Sequence, residues 1–294
     1  MRKESVLREA RKDFHSALLE SGLLCVTERT KPKKGLPSIF PSNADGDSAT
    51  SIAIAQAIYD QIQSKTTAGG RLAGQISGSR FEQITRAFIQ ATFMELNGLR
   101  PGHWNCEPEK RAIFCFEQYR HLAELKDVAG KNPEIAVLLG SDYIIAPDVL
   151  IVREPETDEL INAEKTIVDE TVALRSPLRR RNNEKAILHA SISCKWTLRS
   201  DRAQNARSEA LNLIRNRKGR APHIAVVTGE PLPSRLASLA LGTGDLDCVY
   251  HFALPELIAA VKQLDADDSA NLVRIMVNGE RLKDISDLPL DLAV

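Results

Sequence analysis

A lysine, carboxylates and a cluster of arginines fall within one short run of the chain, Ser191-Ile-Ser-Cys-Lys-Trp-Thr-Leu-Arg-Ser-Asp-Arg-Ala-Gln-Asn-Ala-Arg-Ser-Glu209. The run begins with the alternation of a strand and continues as a helix. Alternation places Ser191, Ser193 and Lys195 on one face and Ile192, Cys194 and Trp196 on the other. A lysine within a buried strand needs a charged partner or a chemical task. Asp148 supplies a candidate partner, since it lies in the apolar stretch Tyr143-Ile-Ile-Ala-Pro-Asp-Val-Leu-Ile-Val152. Two neighbouring strands would bring Asp148 and Lys195 together, and the helix after Lys195 can return Glu209 to the same place. Two converging carboxylates suit a hard divalent cation, with Mg²⁺ the natural candidate. Such an ion polarises a phosphoryl oxygen and lowers the pKa of a bound water. Lys195 could orient that water or offset charge developing on the phosphate. That is the chemistry of phosphodiester hydrolysis. The spacing is equally compatible with a plain buried Asp–Lys pair and an unrelated Glu209 on the surface.

Charge is local rather than global. The chain has 39 basic and 39 acidic residues, so its net charge gives no case for a polyanionic partner. Between 195 and 220, however, Lys195, Arg199, Arg202, Arg207, Arg215, Arg217, Lys218 and Arg220 face only Asp201 and Glu209. A solvated basic helix face is one account. The other is that Arg199-Ser-Asp-Arg202 opens a helix, with Ser200 or Asp201 as its cap. Arginines there are well placed to meet guanine O6 and N7 in a major groove, and an aspartate accepts from cytosine N4.

The elements that must position these groups follow from hydropathy. Residues 5–24, 50–63, 79–97 and 109–128 read as helices, with Arg100-Pro-Gly-His-Trp-Asn105 as a turn. The breaker-rich stretch 31–46 reads as a loop, either a solvated linker or a binding loop. Strands are expected at 143–152, 186–196, 223–228 and 247–252. Pro147 would set the first of these at an edge or a bulge. His223-Ile-Ala-Val-Val-Thr228 is apolar throughout and hence buried on both faces. Helices are expected at 201–217, 233–241 and 255–264, and 155–184 reads as a polar excursion. The result is a mixed central β-sheet flanked by helices, an α/β architecture, behind a mainly helical N-terminal part. The N-terminus is polar and no apolar run approaches the length of a membrane span, so no membrane association is expected. The five cysteines include no CxxC pair, which suits reduced thiols and a cytoplasmic protein; Cys194 is expected to pack in the core.

Four runs carry a family resemblance: Leu188 to Glu209, Asn216-Arg-Lys-Gly-Arg-Ala-Pro-His223, Gly242-Thr-Gly-Asp-Leu-Asp-Cys-Val-Tyr-His-Phe252, and Val277 to Val294. They resemble the type II restriction endonucleases of the PD-(D/E)XK superfamily that cut sites containing CCGG. The match is dense from about 139 onward. Earlier it is patchy, at Ser42-Asn-Ala-Asp-Gly46, Gly74-Gln75, Phe81-Glu82 and Arg100-Pro-Gly-His-Trp104. The general motif has an acid two residues before the lysine, where this chain has Ser193; in this subfamily the acid comes from the following helix, which matches Glu209. The resemblance implies that Asp148 and Glu209 are the metal carboxylates, Lys195 the catalytic lysine, and Ser193 and Glu82 further members of the site. It implies that Arg199, Asp201 and Arg202 read the inner CCGG, Asp45 and Arg235 the outer G·C pair, and Gln75 the minor groove. It also implies one restriction-endonuclease domain over 1–294, with a helical half at 1–135 and a catalytic-core half at 136–294. The expected partners are double-stranded DNA, further copies of the chain as a dimer of dimers, and functionally a cognate DNA methyltransferase. Two rivals share many of these residues. A structure-specific nuclease of the same superfamily would cut without a fixed sequence, and a non-catalytic DNA-binding protein would bind without metal.

Overall fold

A computed structural model describes residues 4–63, 74–132, 134, 137, 146–242 and 244–294, and of residues 74, 75 and 200–202 the backbone alone. The apolar runs become the middle of a mixed sheet whose six strands lie in sequence order. These are β3 (Trp104–Cys106), β4 (Val149–Arg153), β5 (Ile187–Lys195), β6 (His223–Thr228), β7 (Cys248–His251) and β8 (Leu282–Asp284). The pairs β3–β4 and β4–β5 are antiparallel, and β5 to β8 run parallel. Parallel strands need crossovers long enough to cover a face. Here α6 (Ser200–Asn216) joins β5 to β6, α7 (Pro233–Ala240) joins β6 to β7, and α8 (Leu254–Gln263) with α9 (Asp267–Asn278) joins β7 to β8. The remaining α-helices are α1 (Val6–Glu20), α2 (Ala49–Ile62), α3 (Gly74–Thr92), α4 (His121–Lys131), the short α5 (Asp158–Ile161) and α10 (Leu288–Asp291). A separate hairpin pairs β1 (Val26–Glu28) with β2 (Ile39–Pro41). The expected α/β sheet with flanking helices is therefore present, and the half before β4 is mainly helical.

One cluster of buried side chains extends from Ala10 near the start of the chain to Leu292 near its end. Phe14 on α1 meets Phe81 and Phe88 on α3, with ring centroids 6.4 and 5.4 Å apart. Phe81 in turn lies 5.1 Å from Trp196, and Trp196 lies 5.5 Å from Phe252. This aromatic chain fastens the helical half to the sheet directly behind Lys195. Cys194 is buried there as expected, and none of the five cysteines forms a disulfide. Among the described residues, no helix is long and apolar enough to cross a membrane.

Several elements differ from the sequence reading, each for a physical reason. The first helix stops at Glu20 because Gly22 takes a left-handed φ of +71°, and Leu24 N–H then closes back on the Leu18 carbonyl at 2.9 Å. The third helix starts at Gly74, so Glu82 lies in its middle and not at its start. The expected helix over 109–128 is broken into 3₁₀ turns at Ile113–Cys115 and Glu117–Tyr119 before α4 begins. Its buried residues Ile113, Phe116 and Tyr119 recur every three positions, the spacing of a 3₁₀ turn. Pro147 marks neither an edge nor the bulge: β4 begins after it and is interior, and the register slips further along, between Ile151 and Val152. Residues 143–145 of that expected strand lie outside the described residues. The end of the 31–46 loop is no free linker. Its β2 segment pairs with β1, and buried Asn43 donates to the Gly229 carbonyl at 2.8 Å. The excursion over 155–184 is organised around Arg179, whose buried guanidinium makes two hydrogen bonds to Asp158 at 2.9 and 2.6 Å.

Candidate active site

Asp148 leaves its turn immediately before β4, and β4 is paired to β5 so that Val149 faces Ile192. That register brings the carboxylate to the end of β5. Its Oδ2 accepts from the Cys194 backbone N–H at 2.8 Å and lies 3.2 Å from Lys195 Nζ. Arg86 on α3 donates to the Asp148 carbonyl at 2.8 Å. On the same face of β5, Ser193 Oγ donates to Glu209 Oε2 at 2.7 Å, so α6 does fold back to bring Glu209 to the strand. Asp148, Lys195, Ser193 and Glu209 are thus gathered as the sequence reading anticipated, with Glu209 meeting the site through Ser193.

The residue that sequence reasoning missed is Lys110. Its Nζ lies 2.6 Å from Asp148 Oδ1 and 3.0 Å from each oxygen of Glu82. Glu82 and Arg86 are one helical turn apart on α3, and both reach toward Asp148 from that helix. Lys110 itself precedes the 3₁₀ turns, where no periodicity signals its direction. Nothing in its sequence neighbourhood, Glu107-Pro-Glu-Lys-Arg111, distinguishes it from a solvated charge.

The electrostatics follow from this packing. Burial works against the charged form of Asp148, but the Lys195 charge and the hydrogen bonds from Lys110 and the Cys194 N–H hold its carboxyl below the ordinary value. Burial also opposes the charge on Lys195, and the Asp148 and Glu209 carboxylates outweigh it and raise that lysine. Glu82 goes the other way. Burial and the neighbouring Asp148 charge push it up, and Lys110 only partly offsets them. A site in which two carboxylates crowd one cation is an oxygen donor set suited to a hard divalent ion. As arranged here, no group of three or more His, Cys, Asp or Glu among the described residues is set to hold a metal, and Lys110 lies between Glu82 and Asp148.

A second group of expected residues forms an open cleft of about 520 Å³ lined by Asp45, Asp47, Leu198, Arg199, Ala203, Ser234, Arg235 and Ser238. Asp45 stands between β2 and α2, where its backbone N–H donates to Ser51 Oγ at 2.9 Å. Its carboxylate accepts from the Asp47 N–H and from Arg235, and both hold its pKa below the ordinary value. Arg199 occupies the N-cap position of α6 and makes no side-chain cap bond, so neither Ser200 nor Asp201 is the cap. Three expected base readers, Asp45, Arg199 and Arg235, therefore share one cleft. The side chains of Gln75, Asp201 and Arg202 lie outside the described residues. The lysine and this cleft are linked through the backbone: Lys195 pairs with Thr228 at the ends of β5 and β6, and the chain leaving β6 leads into α7 and Arg235.

Comparison with known proteins places the chain in a class. The chain is 50% identical to the type II restriction enzyme NgoMIV of Neisseria gonorrhoeae in an alignment of 290 residues that covers 97% of this chain and 98% of that one. Among solved structures it is similar to the type IIF restriction endonuclease Bse634I with cognate DNA, at 15% identity and a TM-score of 0.34, covering 82% of this chain and 97% of that one. The class is that of the site-specific deoxyribonucleases of restriction systems, enzymes that generally use divalent metal ions and act on DNA. A family model described as NgoMIV restriction enzyme matches residues 14–294, and the chain belongs to that family.

Proposed function

We propose that the protein is a Mg²⁺-dependent endonuclease that cleaves double-stranded DNA at GCCGGC, or at a close relative containing CCGG. Cleavage breaks the P–O3′ bond and leaves 5′-phosphate and 3′-hydroxyl ends with a four-nucleotide 5′ overhang. The observation that carries this reading is the convergence of Asp148, Lys195, Glu82 and the Ser193–Glu209 pair at one end of β5. Asp148 and Glu209, with Glu82 beside them, are the oxygen donors that would hold the ion. When bound, the ion polarises a phosphoryl oxygen and supplies a water of lowered pKa. Lys195, held by Asp148, offsets charge that develops on the scissile phosphate. Ser193 fixes the rotamer in which Glu209 faces the strand. Arg199, Asp201 and Arg202 read the inner CCGG, Asp45 and Arg235 the outer G·C pair, and Gln75 contacts the minor groove.

A palindromic site calls for at least a dimer, and a dimer of dimers is the assembly we assign. A methyltransferase acting on the same site is the functional partner that would protect the host. Incubation with plasmid DNA and Mg²⁺, followed by sequencing of the ends, tests the reading. Ends that all carry a CCGG overhang are the expected result. Scattered ends would point to a structure-specific nuclease, and binding without cutting would remove the enzymatic reading.

Two substitutions bear on its parts. Asp201→Ala is expected to weaken binding to the specific site by about 1–3 kcal/mol, the worth of a good base contact. Fluorescence anisotropy with specific and unrelated duplexes measures this, and an unchanged ratio of the two affinities removes Asp201 from the reading set. Lys110→Met is expected to tighten Mn²⁺ binding by up to about fivefold, the equivalent of about 1 kcal/mol for a pair this exposed. The cation and the lysine compete for the same oxygens of Glu82 and Asp148. Calorimetric titration with Mn²⁺ checks it, and unchanged or weaker binding would separate Lys110 from the metal site.

A further inference from the structure

Glu230 is a fully buried carboxylate in the connection between β6 and α7, and no role in cutting or reading is assigned to it above. Its surroundings are specific. Oε2 accepts from the Leu198 backbone N–H at 2.8 Å and Oε1 from the Leu232 N–H at 3.1 Å. Leu198 immediately precedes Arg199, the N-cap residue of α6. Leu232 is the N-cap residue of α7, whose first turn carries Arg235. One side chain thus fastens the leading ends of two helices that send arginines into a single cleft. Oε2 also lies 3.7 Å from Arg235 Nη1, so the guanidinium is held between Glu230 and Asp45.

The third arm of the cleft is tied to the same place. Asn43, two residues before Asp45, donates to the carbonyl of Gly229. Glycine is required there, since a Cβ would come within 2.5 Å of the Trp196 ring. His251 on β7 meets the Glu230 carbonyl at 3.1 Å and fixes the backbone from below. Only a carboxylate can accept at both ends of the side chain at once. A glutamine would turn an NH₂ toward one of the two backbone donors and would withdraw the charge that faces Arg235. Burial pushes the Glu230 carboxyl up, and the two backbone donors and Arg235 oppose it. Such a group is retained at a cost in desolvation, which fits a role that a neutral residue cannot fill.

We propose that Glu230 is the positioning residue of DNA recognition: without touching DNA, it sets the direction of Arg235 and links the arms that carry Asp45, Arg199 and Arg235. The proposal rests on the assignment of Arg235 to the outer G·C pair. It is tested by equilibrium binding, in EDTA, of duplexes containing GCCGGC, ACCGGT or an unrelated sequence to wild type, Glu230→Gln, Arg235→Ala and the double variant. Glu230→Gln is expected to lower the preference for GCCGGC over ACCGGT by about tenfold. Its affinity for the unrelated duplex should be unchanged, and adding it to Arg235→Ala should cause little further loss of preference. Wild-type preference in Glu230→Gln, an equal loss on all three duplexes, or additive losses in the double variant would each overturn the proposal. If Arg235→Ala keeps the preference, the outer-pair assignment fails and takes the proposal with it, an outcome distinct from failure of Glu230 alone. Should Glu230→Gln not fold by circular dichroism, Glu230→Asp takes its place. It keeps the charge but draws the oxygens away from their partners, and the same losses are expected.

Discussion

Lys195→Ala is expected to lower the single-turnover cleavage rate by at least about 10²–10³, the loss that follows removal of one preorganised group facing transition-state charge. The expectation follows from how the ammonium is held. Lys195 ends a strand that is buried along most of its length, and its side chain is only 16% exposed. The Asp148 carboxylate 3.2 Å away fixes the charged group at the mouth of the site. The substitution leaves Asp148 with the Cys194 N–H and Lys110 as partners, so it does not strand a buried charge. The fold and the affinity for specific DNA should therefore survive while cutting is lost. Rapid-quench cleavage together with circular dichroism and anisotropy separates these quantities. Near-wild-type cutting by Lys195→Ala would remove the lysine from the chemistry.

The strand–helix–strand segment from β5 to β7 was legible in the sequence because β6 is a continuous apolar run and β5 alternates polar and apolar residues before its helix begins. Residues 223–228 coincide with β6, and the other two strands differ by a residue at each end. The pairing of Asp148 with Lys195 was legible for a related reason, since charges isolated in apolar strands have few places to go. Short elements were not. β3 and β8 are three residues long and have no period to read; β3 exists because its backbone completes the antiparallel edge against β4. Lys110 and Glu230 were invisible for opposite reasons. Lys110 sits in an irregular stretch whose direction is decided by where Phe116 and Tyr119 are buried. Glu230, in Gly229-Glu-Pro-Leu-Pro233, has the composition of a solvated turn, and only the closure of α6 and α7 over it makes it a buried acceptor. The arginines expected to read bases were legible by type, but the cleft that gathers Arg199, Arg235 and Asp45 spans 190 residues of sequence and is a product of the fold.

The two acids that flank Lys110 are expected to respond to neutralisation in opposite ways. Asp148→Asn should destabilise the metal-free protein by about 3 kcal/mol, as expected when one partner of a largely buried ion pair is removed. The Asp148 side chain is 10% exposed and that of Lys195 16%, so little solvent is available to replace the lost partner. An asparagine oxygen in place of Oδ2 can still face the Cys194 N–H and Lys195, but its NH₂ then meets Lys110, the donor on Oδ1, and no negative charge is left between the two lysines. Glu82→Gln should be neutral or slightly stabilising. Glu82 is held above its ordinary pKa by burial and by the Asp148 charge, so its ionised form is one the fold disfavours. Its tie to Lys110 is to a side chain 43% exposed, where screening leaves an ion pair worth little. Urea unfolding of both variants in EDTA measures the difference, and equal destabilisation would mean that Glu82 is held in the fold as firmly as Asp148. Both variants should still lose cleavage. Under the proposed function a divalent cation would take the place of Lys110 between the two acids, and Glu82 would be the carboxylate that gains most from its arrival.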